Sequence, residues 1–96
     1  MYKLLFENKT SDDTSDVVFP QRFIESQFVI AQVDFAGTSS NLLVQGRVSD
    51  DFDWVEIHDF DSSDGAAQAQ QVTAFPEMRL EVDNCSSCDV TAALAS

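Results

Sequence analysis

The chain has 96 residues, 44% of them hydrophobic and eight of them Phe, which is enough for one core and one domain. Seventeen acids, twelve of them Asp, face five bases, for a formal net charge of −12. A surface of that sign repels nucleic-acid phosphates and anionic lipid, so neither is expected as a partner.

The apolar pattern has period two almost throughout, the signature of strands rather than helices. YKLLFE (2–7) reads as a first strand and NKTSDDTSD (8–16) as a polar, acidic connection. VVFPQRFIES (17–26) is apolar but interrupted by Pro20, which suits an edge strand or an extended link. Residues 1–26 are therefore expected to form a strand and an arm that reaches a partner, and residues 27–96 the body of the domain. The strongest strand signal is QFVIAQVDFA (27–36), with Val29, Ala31, Val33 and Phe35 on one face and Phe28 and Ile30 opening the other. Gly37 to Asn41 reads as a turn.

LLVQGRVS (42–49) and WVEIHDF (54–60) follow as strands on either side of the acidic tip DDFD (50–53). DSSDGAAQA (61–69) reads as a long loop, and QQVTAF (70–75) as a strand ending at Pro76. MRLEVD (78–83) and DVTAALA (89–95) alternate cleanly and flank NCSSC, so they are expected to form a hairpin. Seven or eight short strands with turn signals between them predict an all-β antiparallel β-sandwich, jelly-roll or immunoglobulin-like, with a small barrel as the competing fold.

Several residues are candidates for chemistry. Cys85 and Cys88 have the spacing of a redox pair or of one limb of a zinc site. A redox pair needs a helix N-terminus to lower the first thiol's pKa, and zinc needs ligands that His58 alone does not supply. The plainer alternatives are two thiols at a turn or a local disulfide across it. Asp59, Asp61 and Asp64, before Gly65, could hold calcium, although their spacing departs from the helix–loop–helix pattern. His58 lacks a nucleophile signature, and the sequence has no phosphate-cradling glycine loop and no HExxH. The expectation is a protein that is not an enzyme and needs no cofactor. Trp54 is expected as the core anchor between two sheets. The opposing possibility is a sugar-binding face built from Phe52, Trp54 and Phe60. Phe19, Phe23 and Phe28 exceed what a small core needs and are expected at an interface. Arg79, one of few bases, is expected to pair with a carboxylate on a neighbouring strand.

The second half, VQGRVSDDFDWVEIHDF followed by VTAFPEMRLEVDNCSSCDVTAALA, resembles small virion proteins of tailed bacteriophages. The resemblance covers roughly residues 42 to 95 and rests on Gly46, Asp50, Trp54, Ile57, Phe75, Pro76, Met78, Arg79 and Leu80, with the small-residue segment Val90 to Ala95. It implies a β-sandwich that decorates or cements a capsid, and no catalytic residues. It also places the cysteines where other members have an ordinary hairpin turn, often Gly-rich. On this reading the partners are the major capsid protein or other virion proteins. A homo-oligomer, a trimer at three-fold positions, is expected, as is location in the virion after synthesis in a host cytoplasm. The alternative is a carbohydrate-binding module on a tail or fibre.

Overall fold

The computed structural model describes residues 2–20 and 27–95. It is all-β and antiparallel, as the alternation predicts. The strands are β1 (Tyr2–Lys9), β2 (Asp13–Thr14), β3 (Phe28–Arg47), β4 (Val55–Asp61), β5 (Ala67–Thr73) and β6 (Glu77–Ala95), with a 3-10 turn at Ser62–Asp64 between β4 and β5. They form one sheet in the order β1-β6-β3-β4, with β2 also paired to β6 and β5 also paired to β3.

Two strands dominate. β3 and β6 run antiparallel along nearly their whole lengths, from the Ile30–Ala95 rung to the Arg47–Glu77 rung. Each borders two shorter strands, one per half. β5 pairs with the first part of β3 and β4 with the second. β1 pairs with the last part of β6, while β2 and the Val18–Met78 bridge line its first part.

A straight strand of β3's length would span roughly 65 Å at about 3.3 Å per residue. The molecule's longest dimension is 34 Å and its shortest 19 Å. The ribbon is therefore bent double, and its two halves stack as layers around one core cluster that draws on both.

The alternation shows how the bend is made. On β6 the buried residues are Met78, Leu80 and Val82, then Cys88, Val90, Ala92 and Leu94, all at even positions. On β3 they are Val29, Ala31, Val33 and Phe35, then Ser40, Leu42, Val44 and Gly46, so the parity switches in mid-strand. The β3–β6 register slips between the Ser39–Ser86 and Asn41–Asp83 rungs, where two residues of β6, Asn84 and Cys85, lie against one of β3, Ser40. Without that slip one half of β3 would turn its apolar face to water. Asn84 and Ser87 on β6 and Gly37 on β3 all have positive φ, and together they bend the two strands at the same level.

Two sequence expectations are corrected here. Gly37 to Asn41 is not a turn, and NCSSC is not a hairpin. Residues 78–83 and 89–95 do not pair with each other, since both pair with β3. Four expected strands thus become two long ones, and the described residues hold six strands instead of seven or eight. The cause is local: small polar residues and positive φ serve a bend as well as a reversal, and only the partner strand distinguishes them.

The described part of the N-terminal stretch, residues 2–20, is tied to the sheet. Phe6 and Val18 are buried in the core. Ser15 exchanges two hydrogen bonds with Leu80: its N–H donates to the Leu80 carbonyl (2.8 Å), and its Oγ accepts from the Leu80 N–H (2.9 Å). Residues 2–18 therefore form the sheet's second border on β6.

Candidate functional site

The outer face of the half formed by β1, β5, the start of β3 and the end of β6 is unusually apolar for so acidic a protein. Its rungs place Leu4 beside Ala93 and Ala93 beside Gln32, then Tyr2 beside Ala95 and Ala95 beside Ile30. Small side chains on the central strand thus lie between larger ones on both neighbours. The result is an open groove of about 340 Å³ with an alanine floor, walled by Tyr2 and Leu4 on one side and by Ile30, Gln32 and Asp34 on the other. Tyr2, Leu4, Phe28 and Ile30 are all exposed, Tyr2 at 65%. Alternation dictates the arrangement: every residue that β3 does not bury here must face outward, and Phe28 and Ile30 are large and apolar.

The expected interface residues divide between two places. Phe28 stands two residues from Ile30 on the same face of β3 and extends the groove's apolar surface. Phe19 is also exposed, but it follows Val18, which is bridged to Met78 in the other half. Phe23 lies outside the described residues. Tyr2, Leu4 and the two alanines were not singled out from the sequence. The available signal was that both faces of 28–31 are apolar while a single core can take only one.

The outer face of the other half carries bases. The Arg47 and Arg79 guanidinium carbons lie 4.2 and 4.5 Å from the centre of the Trp54 ring. Arg47 is paired with Glu77 (Nη2 to Oε1, 3.0 Å), and Arg79 Nε donates to the side-chain oxygen of Gln45 (2.6 Å). Trp54 is thus not the core anchor. It is half-buried on the outside, and aliphatic residues of β3 and β6 fill the interior. Its π face draws the two cations that the strands deliver side by side. Arg79 also departs from expectation: its partner is a neutral amide, and among the described residues it has no carboxylate within ion-pair distance. Of the three aromatics considered for sugar binding, Phe60 is buried in the core and Trp54 is occupied by arginines. Only Phe52 is open to solvent, on the β3–β4 tip with Val48 and Val55.

The acidic loop does not assemble a calcium site. Among the described residues no three acids, histidines or cysteines are grouped so as to hold a metal ion. Asp59 accepts from the Asn41 amide (3.1 Å), and Asp61 accepts from the Ser63 N–H (2.9 Å), capping the 3-10 turn. Hydrogen bonds from Ser63, its backbone first and then its side chain, hold the Asp61 carboxyl below its ordinary value of 3.8. A lowered folded pKa contributes stability that is complete above the unfolded value and fades as pH falls through the folded one. Asp61→Ala should therefore shallow the fall in Tm below about pH 3.8, as read by thermal melts between neutral and acid pH, and should change that slope little above it. His58 pairs with Val44 in the β3–β4 ladder and meets the Phe60 ring edge-on at 4.4 Å, a packing role.

Cys85 and Cys88 are joined by a disulfide within the bend of β6. The bridged sulfurs offer no thiolate to a metal. Asp12 reaches across from the β1–β2 connection, its Oδ1 accepting from the Cys85 N–H (2.8 Å). The bridge lies in a strand bend and not at a helix N-terminus, a setting that suits a clip. Closing so short a loop stabilises by about 2 kcal/mol. Urea unfolding with and without dithiothreitol should show a loss of about that size while the protein remains folded.

No protein-family model matches this chain, and neither the curated proteins nor the solved structures searched include a match.

Proposed function

We propose that this chain is a structural protein that works by docking its apolar outer face on other proteins, as a decoration or cement subunit of a phage capsid. The observation that carries the docking role is the groove with its exposed Tyr2, Leu4, Phe28 and Ile30, in a chain of net charge −12. Exposed apolar patches of this kind mark interaction surfaces. The capsid assignment is supported by the pattern around Gly46, Trp54 and Arg79. A cement subunit stabilises a shell because it binds the assembled state and not the free subunits. Many copies on a symmetric lattice turn modest contacts into firm attachment.

The sugar-binding alternative is less well supported, because the ring that a sugar would stack on already carries two guanidinium groups. Mass spectrometry of purified particles from a tailed phage encoding this chain tests the proposal. The chain should be present in many copies per particle. Its recovery from the host lysate alone, with none in particles, would overturn the capsid assignment.

A further inference from the structure

We infer that β5 is the seam of a homodimer: it pairs antiparallel with β5 of a second copy about a two-fold axis at Gln70, and the two sheets become one. This contact is separate from the apolar groove and does not depend on it. β5 borders β3 on one side, and among the described residues no strand pairs with its other side. Hydrogen-bonded rungs alternate in an antiparallel ladder. At one end of this one the Ala74 N–H donates to the Gln27 carbonyl, and at the other the Phe35 N–H donates to the Ala66 carbonyl. The even-numbered residues of β5 are therefore bonded to β3. The odd-numbered ones, Ala67, Ala69, Gln71 and Thr73, turn their N–H and C=O groups outward, and all four are exposed. The Gln71 carbonyl takes a bond from Gln70 Nε2 (3.1 Å), an exposed side chain that is free to turn away.

Proteins blunt open strands with charge, proline, irregular pairing or shortness. The other borders of this sheet are blunted in these ways. β1 carries Lys3, Glu7 and Lys9 and breaks register twice against β6. β2 is two residues long. β4 carries Glu56, Asp59 and Asp61 and breaks register once against β3. β5, AQAQQVT, has no charge, no proline and no glycine in a chain of net charge −12, and its seven rungs with β3 are unbroken.

Charge then selects the occupant. Copies at −12 repel one another across any acidic surface, so a neutral border is where they can meet. A strand from a basic partner would find acids on β4 and none on β5. Overlapping all seven residues sets Ala67 opposite Thr73 and Ala69 opposite Gln71, with Gln70 facing Gln70 on the axis, and it brings the outward N–H and C=O groups of the two strands together. The strand is its own complement, as a two-fold interface requires. The acids stay clear of the seam. Asp34 lies beside Ala67, so the two Asp34 side chains stand at opposite ends of the paired strands, roughly 20 Å apart along them and beyond the screening length. Asp64 and Glu77 lie outside the two ends of β5, and Glu77 is paired with Arg47. The assembly is a dimer, where the resemblance implies a trimer.

Sedimentation velocity across a concentration series, at low and at high salt, tests this directly. The wild type should pass from monomer to dimer as concentration rises. Salt should tighten the dimer, because it screens the general repulsion and takes nothing from a neutral seam. Gln71→Pro removes an outward N–H and none that bonds β3, so it should abolish the dimer while the far-UV spectrum and Tm confirm the fold. Gln70→Lys and Gln70→Glu each set like charges across the axis and should weaken the dimer by about threefold to fivefold. An equimolar mixture of the two should dimerise better than either alone, a pattern that a two-fold axis at this residue requires. A wild type that stays monomeric up to about 1 mM, a folded Gln71→Pro variant that still dimerises, or a mixture no better than its components would each overturn the inference. A monomeric wild type that binds stripped phage shells, and loses that binding on Gln71→Pro, would overturn the second copy as occupant and give the border to another protein's strand.

Discussion

Replacing Gly37 by alanine should cost about 4 kcal/mol or more, a fall in Tm of roughly 20 °C for a domain of this size. Gly37 has φ +81°, a conformation that itself costs an L-residue about 1–2 kcal/mol. The larger part is steric. A Cβ here would come within 2.3 Å of the Ser87 carbonyl oxygen and 3.1 Å of the Asp89 nitrogen, both backbone atoms of the β6 bend. Neither can rotate away, so the two bends would have to separate and the layers would come apart with them. Gly46→Ala provides the contrast. Its Cβ would crowd the Phe75 and Ile57 side chains, at 2.6 and 2.7 Å, and side chains can repack, so a loss of about 1–3 kcal/mol is expected. Thermal melts of both variants beside the wild type would show the ranking. Equal losses would mean that the close backbone approach at the bend is not what makes Gly37 necessary.

The second large effect lies at Leu80. Its side chain is fully buried on β6, opposite Val44 and with the Ser15 backbone on its other side. Leu80→Ala removes apolar volume from the middle of the shared core, where strands on both sides limit collapse into the gap. A loss of about 3 kcal/mol is expected, with no change in the urea m-value. Leu4→Ala deletes the same atoms from the exposed outer face and should cost less than about 0.5 kcal/mol. Together the two substitutions separate apolar residues that hold the fold from those that remain for a partner. A Leu4→Ala loss as large as that of Leu80→Ala would place Leu4 in the core and remove a wall of the groove.

The buried face of this protein was legible almost residue by residue, because it depends only on alternation. Val29 to Phe35, Met78 to Val82 and Val90 to Leu94 are assigned alike by sequence and structure. The bend was not legible, because turn chemistry is local and the choice between bending and reversing is made by the partner strand. One clue was present: Met78, Leu80 and Val82, and Cys88, Val90, Ala92 and Leu94 beyond the exposed Asn84 and Ser86, all fall at even positions, as they can on one continuous strand. Trp54 was misplaced for a different reason. A lone Trp suggests a core anchor, but here β3 and β6 supply enough Leu and Val to fill the core, and Arg47 and Arg79 offer the ring cations outside. The groove was half legible. Phe28 marked the right face of β3, while the alanine floor and the β1 wall emerge only once the register sets Leu4, Ala93 and Gln32 side by side. Phe19 carried the same surplus of apolar area and lies on the other half.

These observations describe a fold whose interior is complete and whose exterior is not. Two long strands and a bulge close the core. The same alternation leaves Tyr2, Leu4, Phe28 and Ile30 on the outside of a chain that is otherwise strongly acidic. The most direct test is co-sedimentation of the purified protein with phage shells stripped of their small outer proteins, using the wild type and Ile30→Glu. Ile30 is exposed, so the substitution should leave Tm nearly unchanged while placing a charge in the groove. The wild type should pellet with the shells to a saturating ratio, and Ile30→Glu should stay in the supernatant. Equal pelleting of the two proteins, or no pelleting of the wild type, would contradict docking on the shell through this face.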